Sequence, residues 1–212
     1  MAKTSAAKKK SPTERWALPA SQARSRATRE RLLDAAEAVF AAKGYDGAKI
    51  SDIAEEAGVS VGAIYFRFKD KDALFFAIAE AFIEDARGNL SKLFSGAEAM
   101  AVETIIRTFV MATAENFRRH KGLFRAIVER GLEHPLAMKT IFTFREELAD
   151  SFEKALRGNG SAGLAVRVMT QMVYGFLLAG VLNDKAPTKI TDTDAIIELA
   201  NACVAYMKES AR

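Results

Sequence analysis

The chain has 212 residues, half of them hydrophobic, which is enough for one large domain or for a small domain joined to a larger one. A single cysteine, Cys203, excludes an intrachain disulfide and a cysteine-based metal cluster, and His120 and His134 lack metal-ligand or catalytic spacing. No apolar run reaches the roughly 18 residues of a membrane span, because polar residues interrupt the stretch 168–182. These features favour a cytoplasmic protein without a cofactor, a metal site or membrane contact.

Positive charge is concentrated at the N-terminus. Residues 1–31 contain nine Lys and Arg against two Glu, a net charge of +7, so the rest of a chain with net charge +4 sums to −3. A basic front end is typical of a protein that holds a polyanion such as nucleic acid at one end. A tail that only improves solubility is the alternative. Residues 1–24 also lack a helical apolar period, so we expect them to be a disordered basic arm.

The predicted elements are helices. Between Pro19 and Pro135 the sequence has no proline and is dominated by helix formers. Thr28 is expected to cap the first helix, which Gly44 ends. A short second helix with apolar residues at i, i+3, i+4 and i+7 ends at Gly58. The apolar positions of these two helices include Leu32, Leu33, Ala36, Val39, Phe40, Ile50, Ile53, Ala54 and Ala57.

A third helix is expected from Ser60 to about Phe68, and Asp70 or Asp72 is expected to cap a long fourth helix. Because few segments show the alternation that a strand requires, the sequence predicts an all-α fold. The remaining helices are expected at 98–120, 123–133, 136–157, 162–184 and 193–209, with glycines and prolines between them.

The segment 50–68 has the layout of a helix-turn-helix. Its two short helices are separated by Ala57, Gly58 and Val59, where glycine supplies a left-handed turn and a small apolar residue fills the corner. Ser60 then restarts the chain as a helix whose N-terminal end faces outward. An ordinary helical hairpin is the alternative, since these four residues alone are only moderately specific.

Fifteen positions of the run 28–74 share one pattern of residue types and spacing: Phe40, Lys43, Gly44, Tyr45, Ile53, Ala54, Ala57, Gly58, Val59, Ser60, Gly62, Tyr65, Phe68, Lys71 and Leu74. With this pattern the run resembles the DNA-binding domain of the TetR (tetracycline-repressor-like) family of transcriptional regulators. The resemblance implies a three-helix helix-turn-helix DNA-binding domain at 25–71 and a larger helical effector-binding and dimerisation domain at 72–212. It also implies three partners: a double-stranded DNA operator, a second copy of the chain and a small effector.

The expected DNA contacts centre on the third helix. The resemblance implies phosphate contacts from Tyr65 and from Lys71, which begins the fourth helix. A solvated surface lysine is the alternative for Lys71. Ile53, Val59, Ile64 and Phe68 are expected to face inward. The full set of expected DNA-contacting residues is Lys49, Ser60, Val61, Gly62, Ala63, Tyr65, Phe66, Arg67 and Lys71, with Arg24 and Arg26 of the arm.

The chain departs from the usual family pattern at several of these positions. Lys49 stands where a hydroxyl residue often caps the second helix, and Arg67 stands where histidine is frequent. Val61 and Ala63 offer no hydrogen-bonding group to the bases, so readout is expected to depend on thymine methyl groups and DNA shape. Arg24 and Arg26 are expected either to enter an adjacent minor groove or only to attract phosphates loosely.

The C-terminal domain contains 11 of the 14 phenylalanines, counted from Phe75 onward. Most of them are expected to be core residues. The resemblance nevertheless implies an effector cavity in this domain, and linings of Phe and Met suit an apolar or aromatic ligand. The expected effector-binding residues are Phe109, Thr113, Asn116, Phe117, Met138, Phe142, Arg145, Met172 and Phe176.

The last two predicted helices are apolar nearly all round, so they need cover on more than one side. A second subunit is the expected cover, and the resemblance implies that these helices form a four-helix bundle in the dimer. Cys203 is then an inert buried thiol. The expected dimerisation residues are Gln171, Gly175, Leu178, Ala179, Leu182, Ile196, Leu199, Ala200 and Cys203.

Two other classes of function are alternatives to a regulator. An enzyme is disfavoured, since the sequence has no nucleophile elbow, glycine-rich phosphate loop or metal-ligand cluster. An architectural DNA-binding protein with a filled C-terminal core is the second alternative. A cavity of several hundred cubic ångströms would distinguish an effector-binding regulator from it. The sequence therefore favours a repressor that a small apolar or aromatic effector releases from a palindromic operator, and an activator is the alternative.

Overall fold

A computed structural model of the chain describes residues 23–95, 100–131, 135–156, 163–183 and 185–210. Within these residues the protein consists of nine α-helices without a strand, which confirms the predicted all-α class. The chain divides into two compact units, Met1–Glu84 and Asp85–Arg212. The proposed disordered arm lies outside the described residues except for its last two positions, whose backbone is helical.

The first unit contains three helices and the start of a fourth: α1 (Ala23–Gly47), α2 (Ile50–Glu56), α3 (Val61–Tyr65) and α4 (Lys71–Phe94). The helical backbone of α1 breaks at Gly44, whose φ of 69° is left-handed, as expected from the sequence. The expected cap at Thr28 is wrong because α1 begins at Ala23. Alanine and arginine, both good helix formers, alternate with serine before Thr28 and allow the helix to start earlier.

Aromatic side chains form the centre of the first unit's core. Phe40 stacks on Tyr45 with ring centroids 5.7 Å apart, and Phe75 meets these two rings edge-on at 5.3 and 5.1 Å. Each such pair contributes roughly 0.5–1.5 kcal/mol beyond the burial of its area. Phe75 lies in the second turn of α4, so the start of this helix belongs to the first unit, which extends to Glu84.

Two carboxylates at the start of α4 make specific hydrogen bonds. Asp70 caps α4, since its Oδ1 accepts a hydrogen bond from the Ala73 N–H at 2.8 Å. Asp72 instead accepts a hydrogen bond from the Tyr45 hydroxyl. The structure thus assigns the cap to Asp70, one of the two residues that the sequence offered.

The second unit contains the end of α4 and five further helices: α5 (Val102–Arg119), α6 (Lys121–Gly131), α7 (Pro135–Leu156), α8 (Gly163–Leu182) and α9 (Thr193–Ser210). Their bounds agree with the predicted helices to within a few residues. Phe109, Phe152, Met169 and Leu177 are fully buried in a core to which α5, α7, α8 and α9 all contribute.

The helix α8 is apolar on both sides, but only one side is buried. Its inner residues are Ala165, Val166, Met169, Val173, Leu177 and Val181. By length and composition it is the one helix among the described residues that could cross a membrane. Of its most apolar 18-residue stretch, 39% is buried in the protein. A core helix passes the same test, so this observation does not by itself indicate a membrane.

Gly58 provides a test of the turn between α2 and α3. Its φ of 63° lies in the left-handed region, and a Cβ there would meet no atom within 4 Å. We expect Gly58→Ala to lower the free energy of unfolding by about 1–2 kcal/mol, because the backbone conformation alone penalises a side chain. Urea denaturation measures this change.

Gly88→Ala is the matched control. Gly88 lies inside α4, and its surroundings are equally open. Helix propensity predicts that alanine stabilises this position by about 1 kcal/mol. Stabilisation by both substitutions would show that position 58 does not require a left-handed backbone.

Candidate nucleic-acid interface

The orientation of α3 is fixed by the turn that precedes it and by its own inner face. The Val59 N–H donates to the Ala54 carbonyl at 2.9 Å, which closes the turn around Gly58. Ser60 Oγ accepts a hydrogen bond from the Ala63 N–H at 3.2 Å and confirms the predicted N-cap. Ile64 and Phe68 are fully buried, as predicted, together with Ile53 of α2, whereas Val59 is half-buried.

The outer face of α3 is mainly apolar. Val61, Tyr65 and Phe66 are 41%, 48% and 64% exposed, and Gly62 is exposed with them. Within the described part of the first unit, these three are the only large hydrophobic side chains that are exposed. Clustered exposed apolar side chains mark surfaces that a ligand or partner covers. Ala63, the remaining expected contact on α3, is half-buried.

Cationic residues flank α3 in the sequence. Lys49 is exposed immediately before α2, and Lys69 is exposed just after α3. Arg67 is half-buried, with Nη1 donating to the Ala63 carbonyl at 2.9 Å and Cζ 5.9 Å from the centroid of the Phe66 ring. Sequence reasoning did not select Lys69. Because Phe68 was expected to face inward, the next residue, Lys69, could have been expected to point outward with the other cations. These cations make the neighbourhood of α3 attractive to a polyanion.

Lys49 stands at the N-cap of α2, but its side chain makes no capping hydrogen bond. Asp52 supplies part of the cap, since its carboxylate accepts the Lys49 backbone N–H at 3.1 Å and pairs with Lys43 Nζ at 2.9 Å. The Lys43 ammonium, and then the Lys49 N–H, hold the pKa of the Asp52 carboxyl below its usual value. The exposed Lys49 ammonium therefore takes no part in the cap.

Lys71 is held against the protein. Its Nζ donates to the carbonyls of Tyr45 and Ala48 at 2.9 and 3.1 Å and lies 4.3 Å from the centroid of the Tyr45 ring. Hydrogen bonds from a charged donor contribute roughly 1.5–3 kcal/mol each. Lys71 thus fixes the backbone next to Lys49. Its phosphate contact stays a prediction and would use the third N–H of the ammonium. The side chains of Arg24 and Arg26 lie outside the described residues.

The expected effector residues divide into a buried and an accessible group. Phe109 packs edge-on against Phe152 at 4.9 Å, and Phe117 stacks on Phe124 at 3.8 Å. Both are core residues in this structure, at 2% and 1% exposure. The other expected residues are the half-buried Thr113, Asn116, Arg145 and Phe176, the exposed Phe142 and Met172, and Met138, whose side chain lies outside the described residues.

Arg145 links an expected effector residue to an expected dimer residue. Its Nη2 donates to Gln171 Oε1, and its Cζ lies 5.3 Å from the centroid of the Tyr174 ring. Burial raises the pKa of Tyr174 above its usual value, so the phenol is neutral beside the guanidinium. The contact connects α7 with the outer side of α8.

The expected dimerisation residues divide into an accessible set on α8 and a buried set on α9. Gln171, Gly175, Ala179 and Leu182 are exposed on α8, whereas Leu178 is half-buried. Exposed apolar neighbours on the same helix are Leu164, Val168 and Met172. The residues expected from α9 are buried in the core of their own protomer, namely Ile196, Leu199, Ala200 and Cys203. Ile197, which the sequence reasoning did not select, is the exposed large apolar residue of α9.

Cys203 is fully buried, and burial raises the pKa of its thiol to about 11. The thiol is therefore protonated and unreactive at neutral pH. In the part of the chain that the structure describes, no group of three or more His, Cys, Asp or Glu residues is placed to hold a metal ion.

Comparison with known proteins agrees with the geometry of the first unit. The sequence pattern of a family described as "Bacterial regulatory proteins, tetR family" matches residues 32–78. The HTH-type transcriptional repressor Rv1474c of Mycobacterium tuberculosis is 49% identical over 53 residues, which are 25% of this chain and 28% of that protein. The HTH-type transcriptional repressor KstR2 of Rhodococcus jostii is 29% identical over 138 residues, 64% of this chain and 65% of that protein.

The fold has counterparts among solved structures. The crystal structure of a putative TetR-family transcriptional regulator from Mesorhizobium loti superimposes with a TM-score of 0.70 at 21% identity, covering 89% of this chain and 96% of that chain. The chain spans less than two thirds of each of the two curated relatives named above. The family pattern covers α2, α3 and the turn between them, so this part of the chain is similar to the DNA-binding region of bacterial regulatory proteins of the tetR family.

Proposed function

We propose that this protein is a sequence-specific DNA-binding regulator of transcription that acts in the cytoplasm as a homodimer. The observation that carries the proposal is the outward face of α3, with Val61, Tyr65 and Phe66 exposed in a TetR-family domain. A helix-turn-helix protein places the second helix of its motif, here α3, in the major groove, where a duplex would cover these side chains. Lys49, Arg67 and Lys69 would set affinity through the phosphates.

The proposed mode of regulation is repression at a palindromic operator. The two relatives named above are both called transcriptional repressors. A two-fold dimer would present two copies of α3 to successive major grooves, about 34–36 Å apart. Two-fold symmetry in the protein is matched by a palindrome in the DNA.

The exposed side of α8 is the proposed dimer surface. Gly175 and Ala179 lie one turn apart on this side and have little or no side chain, so a partner helix could approach closely. Leu164, Val168, Met172 and Leu182 would supply apolar contact area, and Ile197 would add to it from α9. Apolar area of this kind drives association in obligate dimers. The buried residues of α9 would support the surface from within the protomer.

A small apolar or aromatic effector is proposed to bind the second unit and to weaken DNA binding. Arg87 donates from Nε and Nη2 to the two carboxylate oxygens of Glu147 at 2.7 and 3.1 Å, and Phe94 meets Phe152 edge-on at 5.0 Å. These contacts tie the end of α4 to α7, the helix that carries Phe142 and Arg145. An effector that favours one arrangement of α7 would thereby shift α4, which begins in the DNA-binding unit.

An architectural DNA-binding protein without an effector remains the second candidate function. The close packing of Phe109 and Phe117 favours it, since both residues were expected to line a cavity. A ligand that binds the folded state raises its thermal stability. A shift of the unfolding temperature by members of a panel of apolar compounds would support the effector-binding regulator, and no shift by any of them would favour the architectural protein.

Selection of bound duplexes from a random pool tests the proposed function. We expect a palindromic consensus, and we expect the logarithm of the affinity to fall linearly with the logarithm of salt concentration, by about 0.9 for each phosphate contacted. Fluorescence anisotropy of a selected duplex measures the slope. Lys49→Gln should reduce that slope by about 1, whereas Lys92→Gln, an exposed lysine of the second unit, should not change it. A protein that ignores every duplex at low salt would refute the proposal.

A further inference from the structure

The outward face of α3 has an unusual composition for a surface that reads DNA. At about 100° per residue, Val61, Tyr65, Gly62 and Phe66 follow one another around about 140° of the helix. All four are exposed. Two apolar side chains therefore stand at the edges of the face, and Gly62 leaves a gap beside the Tyr65 ring.

Hydrogen-bonding groups are scarce on this face. Tyr65 carries the one polar group among the four residues. The Ser60 hydroxyl oxygen is engaged by the Ala63 N–H, and the Arg67 guanidinium is bonded to the Ala63 carbonyl. Guanine is usually read by Arg or Lys and adenine by Asn or Gln, each through two hydrogen bonds. None of these four residue types projects from positions 61, 62, 65 or 66.

The C5 methyl group of thymine is the one apolar group that a base pair presents in the major groove. We infer that Val61 and Phe66 recognise thymine methyl groups, and that Phe66 is the residue that determines specificity at one of these positions. This inference rests on the proposed DNA-binding function and names its mode of readout. Gly62 lets the helix approach the base edges closely, since no side chain stands between Tyr65 and Phe66.

The surroundings of Phe66 favour DNA over a protein partner. Its ring is 64% exposed and lies 5.9 Å from the Arg67 guanidinium, which is held by the Ala63 carbonyl. Lys69 is exposed three residues further along the chain. An apolar ring bordered by fixed positive charge matches the groove of a duplex, where methyl groups lie between two rows of phosphates.

The experiment uses a duplex obtained by selection, in which each thymine is replaced in turn by deoxyuridine. This replacement removes one methyl group and leaves every hydrogen-bonding group in place. Burying a methyl-sized group contributes about 0.8 kcal/mol, or about fourfold in affinity at 1.4 kcal/mol per tenfold. For the unchanged protein we expect a loss of about fourfold at one or two positions in each half-site.

Three variants assign the effect to residues. Phe66→Ala should bind more weakly and lose the methyl dependence at one position, whereas Phe66→Leu, which keeps an apolar side chain, should retain it. Val61→Ala should reduce the dependence at a different position. Both side chains are exposed, so these variants are expected to fold, and circular dichroism with thermal unfolding verifies this.

The outcomes separate the two proposals. Tight duplex binding that no deoxyuridine replacement weakens would overturn methyl recognition and leave the proposed function intact. Methyl dependence that persists unchanged in Phe66→Ala would overturn the role of Phe66. Absence of binding to any duplex would overturn the proposed function itself.

Discussion

Gly175→Arg is expected to prevent dimerisation and to weaken operator binding by at least about 100-fold while the protomer stays folded. Gly175 is exposed on α8, and a Cβ there would meet no atom within 4 Å in the protomer. In the proposed interface, however, the new guanidinium would be desolvated against an apolar surface. Such an unpaired buried charge costs at least about 3 kcal/mol, which corresponds to about 100-fold.

Sedimentation velocity measures the association state, and anisotropy on a selected duplex measures operator affinity. Gly88→Arg is the control, because Gly88 is a second exposed helical glycine with open surroundings. It should remain a dimer with normal affinity. Gly180 is unsuitable, since a Cβ there would lie 2.8 Å from Ile190 Cγ2 and would disturb the protomer. A Gly175→Arg protein that is still dimeric would exclude the outer side of α8 as the interface.

Phe109→Ala is expected to lower the free energy of unfolding by about 3–5 kcal/mol. The Phe109 ring is 2% exposed and packs edge-on against Phe152, so alanine leaves a cavity in the core of the second unit. A domain with a total stability of about 5–15 kcal/mol loses a large fraction of it in this way. Urea denaturation at constant m-value gives the change.

Phe142→Ala is the matched control, because Phe142 is also an expected effector residue but its side chain is 49% exposed. The free energy of unfolding of this variant should change by no more than about 0.5 kcal/mol, as for other surface substitutions. A loss below about 1 kcal/mol for Phe109→Ala would contradict the core assignment. It would indicate instead that Phe109 faces an open cavity, as the sequence interpretation supposed.

Local sequence patterns were sufficient to predict the helices and the orientation of α3. Gly44 and Gly58 adopt left-handed backbone angles, and Ser60 caps α3, in each case where residue type and spacing predicted it. The start of α1 was missed because the favourable helix propensities of the alanines and arginines before Thr28 outweigh a cap that is strong only on average. Where a helix begins therefore also depends on residues outside the few positions that define an N-cap.

Contacts between distant residues were not predictable from local pattern. Lys71 is bonded to carbonyls 26 and 23 residues earlier in the chain, so its sequence position gave no indication that its ammonium is already engaged. Likewise, α8 and α9 are each apolar on two sides, and periodicity cannot tell which side faces the protomer's own core. The structure places Ile196 inside and Ile197 outside, a difference of one residue.

The single cysteine has a practical consequence for measuring motion. Because Cys203 is fully buried and its thiol is protonated at neutral pH, it can react with a thiol-specific reagent only when the core around α8 and α9 opens. The rate of modification of the unaltered protein therefore reports the opening free energy of this region, with no engineered probe. A second cysteine introduced on the surface would react immediately and could carry a dye while Cys203 stays unlabelled.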